Sequence, residues 1–233
     1  MPTELPRTLQ VLWGVAERPT RGPQPALSLA RIVAAAIEIA DSDGLAALSM
    51  ARLAERLGCA PMSLYRHVAN KDELLVFMQD AAPGEPPVLP AGWRDGLATW
   101  ARALRAVLFA HPWILQASAG RPPLEPGQLA WLDRGLSAFR DTPLSHRERA
   151  ETVMAALYLT RGEAQISAVL LGGTPDVTAD YGALLDRFVT ADRFPALAEA
   201  VADGVFRVDE PESFEIALAR LLDGVEQLIA TKG

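Results

Sequence analysis

The chain is nearly devoid of cysteine: Cys59 stands alone among 233 residues, so no internal disulfide can form. Histidine is almost as scarce, at three. No Cys/His set carries metal-ligand spacing, and neither a metal nor a cofactor is expected. Nowhere do about 20 apolar residues follow one another, the length that a bilayer crossing needs, so no membrane partner is expected. The first thirty residues carry prolines and acids where a secretory signal carries a basic and then an apolar stretch, which predicts a cytoplasmic protein. Alternating strand patterns and glycine-rich phosphate loops are absent as well. No Ser, His and Asp set has catalytic spacing, and the chain is not expected to be an enzyme.

What is there suits a globular protein with a full core: 50% of residues are hydrophobic and 22% are charged. The net charge of -7 is unevenly spread. Within 44–71, Arg52, Arg56, Arg66 and Lys71 face Glu55 alone, a net of +3. A basic patch on an acidic chain suits an anionic partner; the alternative is an ordinary solvated helix face.

Residues 1–27 are interrupted by Pro2, Pro6, Pro19, Pro23 and Pro25 and read as a flexible arm, since proline removes backbone donors and breaks helices. Ser28 then caps a helix with Leu29, Ile32, Val33, Ala36, Ile37 and Ala40 on one stripe, stopped by Gly44. Ser49 caps a short helix that ends at Gly58, a residue suited to a left-handed turn. Pro61 fits the first turn of a third helix running to about Val68, and Asn70 with Glu73 opens a fourth over Lys71 to Ala81. The run APGEPPVLPAG at 82–92 is the one clear composition break and marks a domain boundary. Beyond it, helices are predicted at about 93–110, 112–119, 126–141, 145–171, 180–191, 195–205 and 211–230. The expected fold is all-α: a helix-turn-helix domain over 28–81 and a larger helical domain over 92–233.

The segment LGCAPMSLYRHV at 57–68 carries the functional signal. Two short helices joined by Gly58, with small Ala54 at their crossing and Leu53 and Leu64 beneath both, suit a helix-turn-helix. Ser63 and Tyr65 offer hydroxyls to phosphate, Arg66 a forked donor for guanine or phosphate, and Met62 an apolar contact for a thymine methyl. The helix N-termini near Ser49 and Ala60 add backbone donors for phosphate. His67 has the competing reading of a structural histidine.

The stretch LSLARIVAAAIEIADSDGLAALSMARLAERLGCAPMSLYRHVANKDELL resembles the DNA-binding domain of the tetracycline-repressor family of bacterial regulators. The marks are the L-A-x-x-L-G turn and S-L-Y-R-H-V followed by N-K-D-E-L-L. A weaker likeness, through GWRDGLATWARALRAVLFAHPW, extends to that family's regulatory domain. The resemblance implies a homodimer on a palindromic double-stranded DNA operator, released by a small-molecule effector. It places Met50, Ala51, Pro61, Met62, Ser63, Tyr65, Arg66, His67 and Lys71 toward DNA, with Leu64 and Val68 inward. Met50, Ala51 and Pro61 replace polar reading residues of the tetracycline repressors, so a different operator is expected. Arg18 and Arg21 are candidates for a minor-groove arm.

For the effector, Trp100, Phe109, Trp113, Trp131, Met154 and Tyr158 are candidate cavity linings, with Arg161 and Gln165 as polar groups on the same long helix. The bland alternative is that the tryptophans are core, and that the polar helix residues rim a dimer interface. The metal-holding histidine of the tetracycline repressors themselves aligns with Ser118, a poor ligand for a metal, so a metal-free, largely apolar or aromatic effector is expected. Rival readings are a regulator of this fold that works through a protein partner, and an all-helical enzyme.

Overall fold

The computed structural model describes residues 5–15, 27–117, 123–172, 181–206 and 213–232. Every regular element among them is helical. The N-terminal part holds α1 (Arg7–Leu12), α2 (Leu29–Asp43), α3 (Met50–Leu57), α4 (Pro61–Leu64) and α5 (Lys71–Ala81). The C-terminal part holds α6 (Trp93–Ala110), α7 (Trp113–Ala117), α8 (Pro126–Ser137), α9 (His146–Gly172), α10 (Tyr181–Phe188), α11 (Pro195–Ala202) and α12 (Ser213–Ala230).

Local chemistry sets most boundaries. The Ser28, Ser49 and Asn70 side chains accept from the amides of Arg31, Arg52 and Glu73, giving α2, α3 and α5 their starts. Ser145 and Glu148 close the reciprocal box at the head of α9: the Ser145 amide donates to Glu148 Oε2 at 2.8 Å, and the Glu148 amide to Ser145 Oγ at 3.4 Å. Gly58 ends α3 at φ 67°, a left-handed conformation that would strain any larger residue.

Two elements depart from the sequence reading. The 1–27 stretch is not an arm throughout, because residues 7–12 lack proline and form α1, docked on α5. Leu9 is buried there, and Arg7 reaches both oxygens of Glu73 at 2.6 and 2.8 Å. The third helix was expected to reach Val68, but regular α-helix stops at Leu64. The chain then tightens, with the His67 amide donating to Leu64 O at 2.8 Å, and returns Val68 to the core.

There are two cores. One joins α2, α3, α4 and α5, and it is completed by Leu108, Trp113 and Ile114 from the C-terminal part. The other lies among α6, α8, α9 and α12, around Trp100, Phe139, Val153 and Leu218. In the second, Gly135 of α8 lets α6 and α9 come close: a Cβ there would stand 2.9 Å from Val153 Cγ1 and 3.1 Å from Trp100 Cε2.

Polar contacts join the two parts. Asp41 at the end of α2 accepts from Trp113 Nε1 at 2.7 Å and meets His111 Nδ1 at 2.8 Å. Asp80 at the end of α5 accepts from the Gly127 amide at 2.7 Å, capping α8 from outside. Burial raises the Asp80 pKa against that backbone bond. Trp13, just after α1, donates to Leu124 O at 3.0 Å.

Candidate nucleic-acid interface

The α3–α4 pair is held from below. Leu53, Ala54, Leu64 and Val68 are all at most 1% exposed, so their helices have one fixed inner face. The outer face carries Ala51, Pro61, Met62, Tyr65 and Arg66, all exposed, with Met62 at 73% and Tyr65 at 45%. Met50, Ser63 and His67 are half-buried at its margin. The Ser49 oxygen accepts the α3 cap bond, which leaves its hydroxyl proton available. Two large apolar side chains presented to solvent beside an arginine make a surface suited to groove floors and sugar edges.

The basic patch is smaller than its sequence suggests. Arg52 pairs with Asp43 at 2.6 Å and Arg56 with Glu38 at 2.9 Å, so both point back to carboxylates of α2. Lys71, expected to face phosphate, donates to Leu48 O at 2.7 Å and Leu45 O at 3.4 Å. Arg66 faces solvent with no such tether. These pairings join separate elements, and no local spacing announces them. Glu73 was legible only as a capping-box residue. Its carboxylate is buried and accepts from Arg7, from Thr8 Oγ1 at 3.4 Å and from the Ala69 amide at 2.5 Å.

Arg18, Arg21 and Ser118 lie outside the described residues. Among the described residues, the remaining effector candidates are spread over both cores, α6 and α9. Trp100 and Trp131 are buried in the second core, where their indole N–H groups donate to Trp131 O at 2.8 Å and Gly84 O at 3.0 Å. Trp113 is buried in the first core, against Asp41. Phe109 lies under Arg105, whose guanidinium sits 4.3 Å from the ring centroid and pairs with Glu163. Met154 is half-buried on α9, whereas Tyr158 and Gln165 are exposed there. Arg161 is half-buried, and burial pulls its pKa below the ordinary guanidinium value. Among the described residues there is no cluster of three or more His, Cys, Asp or Glu fit for a metal, and no helix is long and apolar enough to cross a membrane.

Comparison with known proteins agrees with this architecture. A family described as "Bacterial regulatory proteins, tetR family" matches residues 32–77, and "Tetracyclin repressor-like, C-terminal domain" matches residues 86–229. The HTH-type transcriptional repressor DrrR1 of Streptomyces coeruleorubidus is 36% identical over 242 residues, covering 98% of this chain and 88% of that protein. The crystal structure of apo ActR from Streptomyces coelicolor superposes with a TM-score of 0.75 at 27% identity, over 91% of this chain and all of that one. ActR in complex with actinorhodin gives 0.74 at 29% identity, over 88% of this chain and 97% of that one.

Proposed function

The chain belongs to the tetracycline-repressor family of DNA-binding regulators, not to any enzyme class, and from that membership we propose that it is a cytoplasmic, ligand-responsive transcriptional repressor. It binds a palindromic operator as a homodimer and leaves it on binding a small, largely apolar or aromatic molecule without metal. The observation that carries the DNA half is the exposed Met62, Tyr65 and Arg66 on a helix pair whose opposite face is fully buried.

Direct readout falls to Arg66 at a base edge and Met62 at a thymine methyl, with Ser49, Ser63, Tyr65 and His67 on the phosphate backbone. Dimerisation through α9 and α12 would cover Tyr158 and Ile166 on the one helix and Ile216 on the other, all of them exposed in the single chain. The effector half draws on ActR, a relative of the same fold solved with actinorhodin. Effector binding then acts by differential affinity for two spacings of the recognition helices.

One experiment tests both halves. A duplex selected from random-sequence DNA by the wild-type protein is titrated with wild type and with Arg66→Ala. The variant should lose about 1–3 kcal/mol of discrimination against a mismatched base. Aromatic compounds are then added in chelator-treated buffer. Equal discrimination by Arg66→Ala defeats the readout assignment, and release that strictly requires Mg²⁺ defeats the metal-free effector.

A further inference from the structure

We infer that α1 is a strap coupling the C-terminal sensor part to the exit of α4, with Arg7 and Trp13 as its two fastenings. The inference rests on the reading of α3 and α4 as the DNA-contacting pair, and it gives Arg7 and Trp13 the role of positioning residues.

At one end, Arg7 donates to both oxygens of Glu73 at 2.6 and 2.8 Å, and Thr8 Oγ1 adds a longer bond at 3.4 Å. Glu73 is buried in the first turn of α5 and also accepts from the Ala69 amide at 2.5 Å. Ala69 directly follows Val68, where the chain leaves the turn that closes α4. One carboxylate thus ties α1 to the exit of α4. At the other end, Trp13 Nε1 donates to Leu124 O at 3.0 Å. Leu124 precedes Glu125, the residue that opens α8 in the sensor part. Between the two fastenings Leu9 is buried, and Val11 and Leu12 pack on the first core, so α1 is seated along its length.

α5 makes the same crossing beside it. Glu73 stands at the head of α5 and Asp80 near its tail, where Asp80 accepts from the Gly127 amide of α8 at 2.7 Å. The helical rise from Glu73 to Asp80 is about 10 Å, and from Arg7 to Trp13 about 9 Å. The two helices are matched members between the same two places, the exit of α4 and the head of α8. A reader joined to its sensor by one helix can pivot about that helix, and a second member fastened at both ends removes this freedom. A reader released from α1 samples more orientations. Only the fraction that fits the operator grooves then binds, and the apparent affinity falls with that fraction.

A double-mutant cycle on the full-length protein tests the strap. Wild type, Arg7→Met, Trp13→Phe and the double variant are titrated with the duplex that wild type selects, once circular dichroism melts show each folded at the assay temperature. Both side chains are about half exposed, and the Met stem and the Phe ring keep their packing. Each single variant should lose about fivefold in affinity, the scale of one net hydrogen bond. The double variant should bind no more weakly than the weaker single one, because a strap freed at one end transmits nothing from the other. Undiminished affinity in either single variant leaves α1 a brace for the fold alone, and losses that multiply in the double make its ends two independent contacts. Either result overturns the inference. Should Arg7→Met fail to fold, the cycle is run with Arg7→Lys, which keeps a cation but loses the fork that spans both Glu73 oxygens, and the same outcomes decide. If wild type selects no duplex, the DNA reading itself fails, a result distinct from every outcome of the cycle, and the inference falls with it.

Discussion

At the scale of single residues, Glu148 shows how position sets charge. The Lys232 ammonium at 2.8 Å, with the Ser145 hydroxyl at 2.6 Å and the Ser145 amide at 2.8 Å, holds its pKa at about 2, against an ordinary 4.5. A depressed carboxylate contributes stability that is complete above the unfolded pKa and lost as pH falls through the folded one. The window here runs from 4.5 down to about 2. Glu148→Gln should therefore melt below wild type at neutral pH, and its melting temperature should fall less steeply than wild type's across that window. Circular dichroism melts over a pH series check both. The effect is modest, because the group is half-buried at the surface, where solvent still screens it.

Elements pack by shape, and Gly135 in α8 is a close contact between side chains of α6 and α9. A methyl group there meets Val153 on one side and Trp100 on the other, and both side chains are buried with no room to retreat. Gly135→Ala should destabilise the fold by about 1–3 kcal/mol despite its better helix propensity, as a denaturant titration would show. Helices with side-chain caps were legible in the sequence because Ser28, Ser49, Asn70 and Ser145 act within three residues of themselves. α1 was not, since its anchor Glu73 lies 66 residues from Arg7. The tryptophans posed a different difficulty. A lining indole and a core indole have the same sequence pattern, and only the carbonyls of Trp131 and Gly84 decide where Trp100 and Trp131 satisfy their N–H groups. The outward face of α4 was readable from its motif, whereas the tethers of Arg52, Arg56 and Lys71 depend on neighbours that folding alone brings near.

For the molecule as a whole, Asp41 joins what the composition break at 82–92 divides. Its carboxylate serves His111 and the buried Trp113 together, so Asp41→Ala leaves the indole N–H without its acceptor. That should cost about 1–3 kcal/mol and lower the melting temperature of the entire chain in a single calorimetric transition, since the two cores share a boundary. Asp41→Asn retains an acceptor and should be milder. Separate transitions for the two halves would show that the bond does not couple them. Leu108, Trp113 and Ile114, packed into the N-terminal core, carry a practical consequence for grafting. A reader cut at the proline-rich junction would leave its floor behind and expose apolar surface. A chimera that joins this reader to a foreign sensor must take the chain through α7 with it, and the seam belongs after residue 117.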